Sequence, residues 1–226
     1  MKFWLDWDLS AGEAAFRMAI ALDPSDALAH RTLGIVLAYQ QRAEEAAASA
    51  GRACELDPLN AAHYALSAQV SFFGREFGSA MTLAKQAISI DSTFWIGHLQ
   101  LAQVAQQTAD CETALEALNH AGTFSGNNSK VLALRGYLLA TMGRADEARQ
   151  VLTTMEAVAS HRYLPPYAPA LVFLGLNDFE QTFFHLERAL EAHDVHLNFL
   201  LVDPKWDPLR ADRRFQSVIL RCGFRT

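Results

Sequence analysis

Eight histidines and three cysteines are the residues best able to do chemistry in this chain, and their spacing decides which chemistry is open. Imidazole and thiolate ligate metals, and histidine also moves protons near neutral pH. The histidines His30, His63, His98, His120, His161, His185, His193 and His196 are scattered along the sequence. His193 and His196, with Asp194 between them, could present two imidazoles one helical turn apart. Two ligands with no third nearby are too few for a metal centre. Cys54, Cys111 and Cys222 are odd in number and form no paired motif, which argues against a disulfide framework and against zinc, so they read as small apolar filler. There is no Gly-rich phosphate loop, no Gly-x-Ser-x-Gly turn and no His-Glu-x-x-His pair. The expectation is therefore no catalytic residue, no metal and no cofactor.

The elements that would position any site come from a repeat. ALDPSD at Ala21 to Asp26 returns as ELDPLN at Glu55 to Asn60, SIDSTF at Ser89 to Phe94 and TFSGNN at Thr123 to Asn128, a period of 34 residues. Laid out without gaps, the units run 27–60, 61–94, 95–128, 129–162 and 163–196, preceded by a half-unit over 1–26 and followed by a segment over 197–226. The eighth position is always small: Gly34, Ala68, Ala102, Gly136 and Ala170. The twentieth holds Ala46, Ala80, Ala114, Ala148 and Thr182, and the twenty-seventh Ala53, Ala87, Ala121, Met155 and Ala189. Small side chains let helices approach to the short end of the roughly 8–10 Å packing range, so these positions select for size. Arg135 departs from the pattern at a seventh position, and its stem is expected to pack while its head reaches water.

Gly34, Ala46, Ala53 and Pro58, with their downstream counterparts at that period, resemble the tetratricopeptide repeat (TPR) family. The resemblance implies an all-α, right-handed superhelical solenoid of antiparallel helix pairs: about five units, a leading half-unit and a C-terminal capping helix. It also implies that first helices line a concave groove and that binding a protein or peptide, rather than catalysis, is the function. Carried onto this sequence, the groove positions are Leu28, Arg31, Ile35, Ala38 and Tyr39; Ala62, Ala65, Gln69, Phe72 and Phe73; Ile96, Leu99, Gln103, Gln106 and Gln107; and Lys130, Ala133, Tyr137, Ala140 and Thr141. That mixture of aromatics and amides suits a peptide held by apolar anchors and main-chain hydrogen bonds. The carboxylate clamp with which some members grip a chaperone tail is not expected, because Arg31 alone survives from its cationic set.

A net charge of −6, from 19 basic and 25 acidic residues, leaves no general nucleic-acid footprint. Between Leu197 and Thr226, six basic residues face three acidic ones, which reads as a capping helix with a solvated outer face. No apolar run reaches the ~20 residues of a membrane span, and Asp6 and Asp8 break up any leader, so a cytoplasmic location without membrane contact is expected. Phe3, Trp4 and Trp7 sit on a half-unit with no upstream cover, an apolar face that would meet a partner or a second copy. The stretches YLPPYAPALVFLGLND and VDPKWDPLRADRRFQSVILRCGF resemble the closing unit and cap of TPR arrays in bacterial regulators that follow a winged-helix, kinase or cyclase domain. This implies a sensing or docking role in signalling or transcription regulation; the alternative is a structural self-assembly subunit.

Overall fold

The computed structural model describes residues 6–224. Among them are twelve α-helices and no strand: α1 (Leu9–Leu22), α2 (Ala27–Tyr39), α3 (Ala43–Leu56), α4 (Ala61–Phe73), α5 (Phe77–Ile90), α6 (Trp95–Gln107), α7 (Cys111–Ser125), α8 (Ser129–Thr141), α9 (Ala145–Ala159), α10 (Tyr167–Gly175), α11 (Phe179–Glu191) and α12 (Arg213–Arg221). First helices α2, α4, α6 and α8 begin where the 34-residue frame puts them. The fifth, α10, starts at Tyr167, after Pro165 and Pro166, whose ring-locked backbone delays the helix. Each helix packs on the next, and first helices also pack on one another. This is the stacking of a right-handed superhelix.

Side-chain chemistry explains where these helices start. Asp26, Asn60 and Asn128 cap α2, α4 and α8 by accepting backbone N–H bonds, and Asp8, Asp110 and Asp178 do so for α1, α7 and α11. The turn within each pair has its own signature. Trp7, Gln41, Arg75, Ala109, Gly143 and Asn177 all take a left-handed backbone, with φ between 53° and 78°, at one 34-residue interval. Only Gly143 and Asn177 are types that favour this conformation, so the stacking imposes it on the others.

The small positions form the dry seams between helices. Ala68, Ala102 and Ala170 at the eighth place, all five residues at the twentieth, and Ala53, Ala87, Ala121 and Ala189 at the twenty-seventh have no exposed surface. A Cβ on Gly34 would sit 3.0 Å from the Ala46 carbonyl and from the Ala50 backbone nitrogen. Arg135 adds two partners to the expectation made for it. Its Nη2 donates to the Leu118 carbonyl at 3.1 Å and to Asn119 Oδ1 at 3.0 Å, while the residue as a whole stays half-exposed. Ser67, at the same seventh position of its own unit, donates to the Ala50 carbonyl at 3.1 Å. The seventh position thus serves a carbonyl of the preceding helix wherever its residue is polar.

The C-terminal segment departs most from expectation. Only α12 caps the array, packing on α11 with Arg214 bonded to Glu180 and Arg221 to Glu187. Residues between α11 and α12 instead fold back over the concave wall in two 3-10 turns, Val195–Phe199 and Pro204–Leu209. Asp194 and Asp203 cap these turns through the backbone N–H groups of His196 and Lys205. The segment brings its own core: Leu197, Leu200, Trp206 and Leu209 are at most 2% exposed. Trp206 Nε1 donates to the Tyr167 hydroxyl at 3.0 Å, and Arg75 pairs with Asp207 at 2.6 Å.

The N-terminal half-unit meets this segment. Trp7 stacks on His193 with ring centroids 5.0 Å apart, and its Nε1 donates to the Asp194 carbonyl at 3.3 Å. Trp7 is therefore engaged within the chain and half-buried. Phe3 and Trp4 lie outside the described residues.

Candidate functional site

The inner side of the stacked first helices is not open along its length. Phe199 of the first 3-10 turn packs against Tyr39 of α2 at 5.6 Å and Phe73 of α4 at 5.8 Å between ring centroids. Ile35, Tyr39, Phe72, Phe73, Gln103 and Tyr137 are all buried. The physical reason is apolar surface: a wall carrying this much aromatic area is covered by the chain's own Phe199 and Trp206 in preference to water. Among the groove residues, Arg31, Gln69, Gln106 and Gln107 are half-buried, and Lys130 is exposed. Arg31 is partly desolvated, which lowers its pKa, and its Nε has no hydrogen-bond partner among the described residues.

What remains of the groove is a cavity of about 100 Å³ between four first helices and the C-terminal segment. Leu66, Gln69 and Phe73 come from α4, Trp95, Ile96, Leu99, Gln100 and Gln103 from α6, Lys130 and Ala133 from α8, and Tyr167 and Leu171 from α10. His196, Phe199, Asp203 and Lys205 close it from the C-terminal side. Exposure gives the cavity a direction. Trp95, Ile96 and Lys130, at the N-terminal ends of their helices, reach solvent, while Gln103, Asp203 and Lys205 are buried.

The floor is charged but satisfied. Lys205 Nζ lies 2.8 Å from Asp203 Oδ2, 3.5 Å from Gln103 Oε1 and 4.7 Å from the Phe72 ring centroid. Gln103 in turn donates to Gln100. One wall carries a second buried pair, His196 Nδ1 at 2.6 Å from Asp194 Oδ1, while Asp194 Oδ2 accepts from the Tyr167 backbone. Burial would raise the Asp194 pKa, but the His196 hydrogen bond and these backbone donors outweigh it and hold the carboxyl below its usual range. Burial pushes the Tyr39, Tyr137 and Tyr167 hydroxyls upward, with Asp203 adding to the shift, so none ionises near neutrality. Lys130 differs from Lys205. Its backbone N–H donates to Asn128 Oδ1 at 3.0 Å, and desolvation lowers the pKa of its ammonium against the opposing pull of the Asp194 carboxylate.

Two of the histidines hold helices to turns. His30 and His98, at the fourth position of their units, place Nε2 3.1 and 2.9 Å from the carbonyls of Pro24 and Ser92, binding each first helix to the turn before it. His193 and His196 point into separate contacts. Among the described residues no group of three or more His, Cys, Asp or Glu could hold a metal ion. Cys222 is buried, which raises its pKa to about 12.

Among the pocket members that sequence reasoning missed are Leu66, Trp95, Gln100, Tyr167, Leu171, His196, Phe199, Asp203 and Lys205. The signal was present in FLLVDPKWDPL, where Asp203 and Lys205 interrupt an apolar run that also holds a tryptophan. A helix repeating every 34 residues offered no frame for it.

Antiparallel helix pairs stacked at a fixed period around a concave wall define a helical-repeat solenoid. The chain belongs to the tetratricopeptide repeat family, which matches it over residues 35–200. The fold of that family generally mediates protein–protein interaction. No curated protein matches the chain. Among solved structures it is similar to the Cut9–Hcn1 hetero-tetramer of the APC/C, with a TM-score of 0.67 and 11% identity over 97% of this chain and 44% of that one. It is also similar to PilF of Pseudomonas aeruginosa, at TM-score 0.59 and 17% identity, covering 94% of this chain and 93% of that one. A tetratricopeptide repeat protein from Parabacteroides merdae gives a TM-score of 0.60 and 12% identity, covering 98% and 95%. At such identities the likeness is one of fold. No helix among the described residues is long and apolar enough to cross a membrane.

Proposed function

We propose that this chain is a protein-interaction module that anchors a peptide segment of a partner in the pocket between α4, α6, α8 and α10. One observation carries the reading: an apolar cavity persists where the C-terminal segment has filled the rest of the wall, and Lys130 stands among its lining residues. Apolar walls give affinity, while the amides of Gln69 and Gln100 supply main-chain partners. No catalytic role is assigned. The resemblance of residues 163–178 and 202–224 to the closing part of bacterial regulator arrays supports a sensing or docking role within a regulatory protein.

The test is panning a displayed random-peptide library against the chain. Binders should be lost in Gln69→Trp, which fills the mouth from a half-buried position, and retained in Arg149→Ala on the outer face. Selected peptides that bind Gln69→Trp as well as the parent would show that the pocket is not the anchor.

A further inference from the structure

We infer that the chain docks on a second copy of itself through two clefts between successive turns, an acidic one in the first repeats and a basic one in the last. The acidic cleft, about 540 Å³, lies between the turn joining α3 to α4, with Asp57 and Leu59, and the turn after α5, with Ile90, Asp91 and Phe94. The basic cleft, about 530 Å³, lies between the segment joining α9 to α10, with Arg162 and Tyr163, and the end of α11, with Arg188, Glu191 and Ala192. Asn60, Ala61 and Ile90 in the first correspond, three 34-residue repeats on, to Arg162, Tyr163 and Ala192 in the second. The repeat builds the same hollow twice and reverses its charge. Neither hollow shares a lining residue with the inner-wall pocket.

The charges are uncompensated within the chain. Asp57 accepts from Asn60 Nδ2 at 2.9 Å and Asp91 from the Thr93 hydroxyl at 2.7 Å, both neutral donors. His63 Nε2 lies 3.5 Å from Asp57, but burial and the charge of Arg31 lower its pKa, so it stays neutral at pH 7. Among the described residues neither aspartate pairs with a lysine or arginine. In the basic cleft Arg162 donates to the Asn127 carbonyl at 3.4 Å, and the Arg188 guanidinium lies over the Phe184 ring, 5.8 Å from its centroid. Neither forms an ion pair with a described residue, whereas the exposed Arg52, Arg144, Arg149 and Arg221 all do. Two arginines against Glu191 leave this cleft positive, as two aspartates leave the other negative.

Each cleft also holds a large apolar side chain out in water, Leu59 at 81% and Tyr163 at 70% exposure. Covering such a side chain is favourable, and an aromatic flanked by arginines is a composition enriched at interface centres. In one molecule both clefts remain open, so neither satisfies the other. A second copy necessarily carries the complement: its Arg162 and Arg188 meet Asp57 and Asp91, and its Tyr163 is covered by Leu59 and Phe94.

The test is sedimentation velocity of the full chain at concentrations up to about 1 mM, which reaches the affinities of a small charged contact. The parent should self-associate reversibly, and less so in about 1 M salt, where charge reaches only ~3 Å. Asp57→Lys with Asp91→Lys, and separately Arg162→Glu with Arg188→Glu, should each weaken association about a hundredfold, because like charges then face each other. The two variants mixed in equal amounts should associate again, which misfolded chains would not do. A parent that stays monomeric at the highest concentration overturns the inference. So does association that survives both pairs of substitutions, or a mixture of the two variants that stays monomeric although each keeps the parent's circular dichroism.

Discussion

Close contact at single residues sets the tolerances of this fold. Gly34 and Gly51 both lie inside helices, where glycine costs about 1 kcal/mol relative to alanine. A Cβ on Gly51 meets nothing within 4 Å, whereas one on Gly34 reaches three atoms of the facing helix at 3.0 Å. Gly51→Ala should therefore stabilise by about 0.5–1 kcal/mol, while Gly34→Ala destabilises by about 1–3 kcal/mol, as urea unfolding would show. Asp194 sets a second tolerance. Its folded pKa lies below the unfolded value, so it contributes stability above pH ~4 that is lost as pH falls through the folded pKa. Asp194→Asn should cost about 3 kcal/mol at pH 7 and flatten the acid limb of the stability profile below about pH 4. A variant whose urea midpoint falls with acid as steeply as the parent's would exclude this role.

Helices and turns were legible in the sequence to different degrees. The small seam positions announced the pairs because they select by volume, and volume is written directly in Gly and Ala. The left-handed turn residue was invisible, because Gln41, Arg75 and Ala109 are not types that signal such a backbone; stacking on both sides forces it. Ala109→Gly should relieve that strain and raise stability by about 1 kcal/mol, and Gly143→Ala should lower it by a similar amount. Equal and unchanged melting temperatures for both variants would mean that the turns relax at no cost. The C-terminal segment was misread for a related reason. Several of its contacts lie more than a hundred residues away in sequence, 102 for Lys205 with Gln103 and 187 for Trp7 with Asp194, and local periodicity carries no information about them. That Phe199 would cover Tyr39 and Phe73 was not foreseen.

The molecule as a whole departs from a linear array in which each unit touches only its neighbours. Trp7 meets His193, Tyr39 meets Phe199 and Arg75 meets Asp207, so early helices depend on the last ones. Unfolding should be a single cooperative transition, with circular dichroism and tryptophan fluorescence coincident in urea. Phe199→Ala should lower stability by about 3 kcal/mol and reduce the slope of the transition if it lets α2 and α4 melt separately. Arg75→Ala, which removes a half-exposed ion pair, should cost under about 1 kcal/mol. The return of the tail to the first helices also bears on how such a protein can evolve. Open repeat arrays grow and shrink by duplicating or deleting a module, since each new copy finds the same neighbour. Here an added 34-residue module would carry Phe199 and Asp207 away from Tyr39 and Arg75, so the number of modules is locked by the tail that spans them.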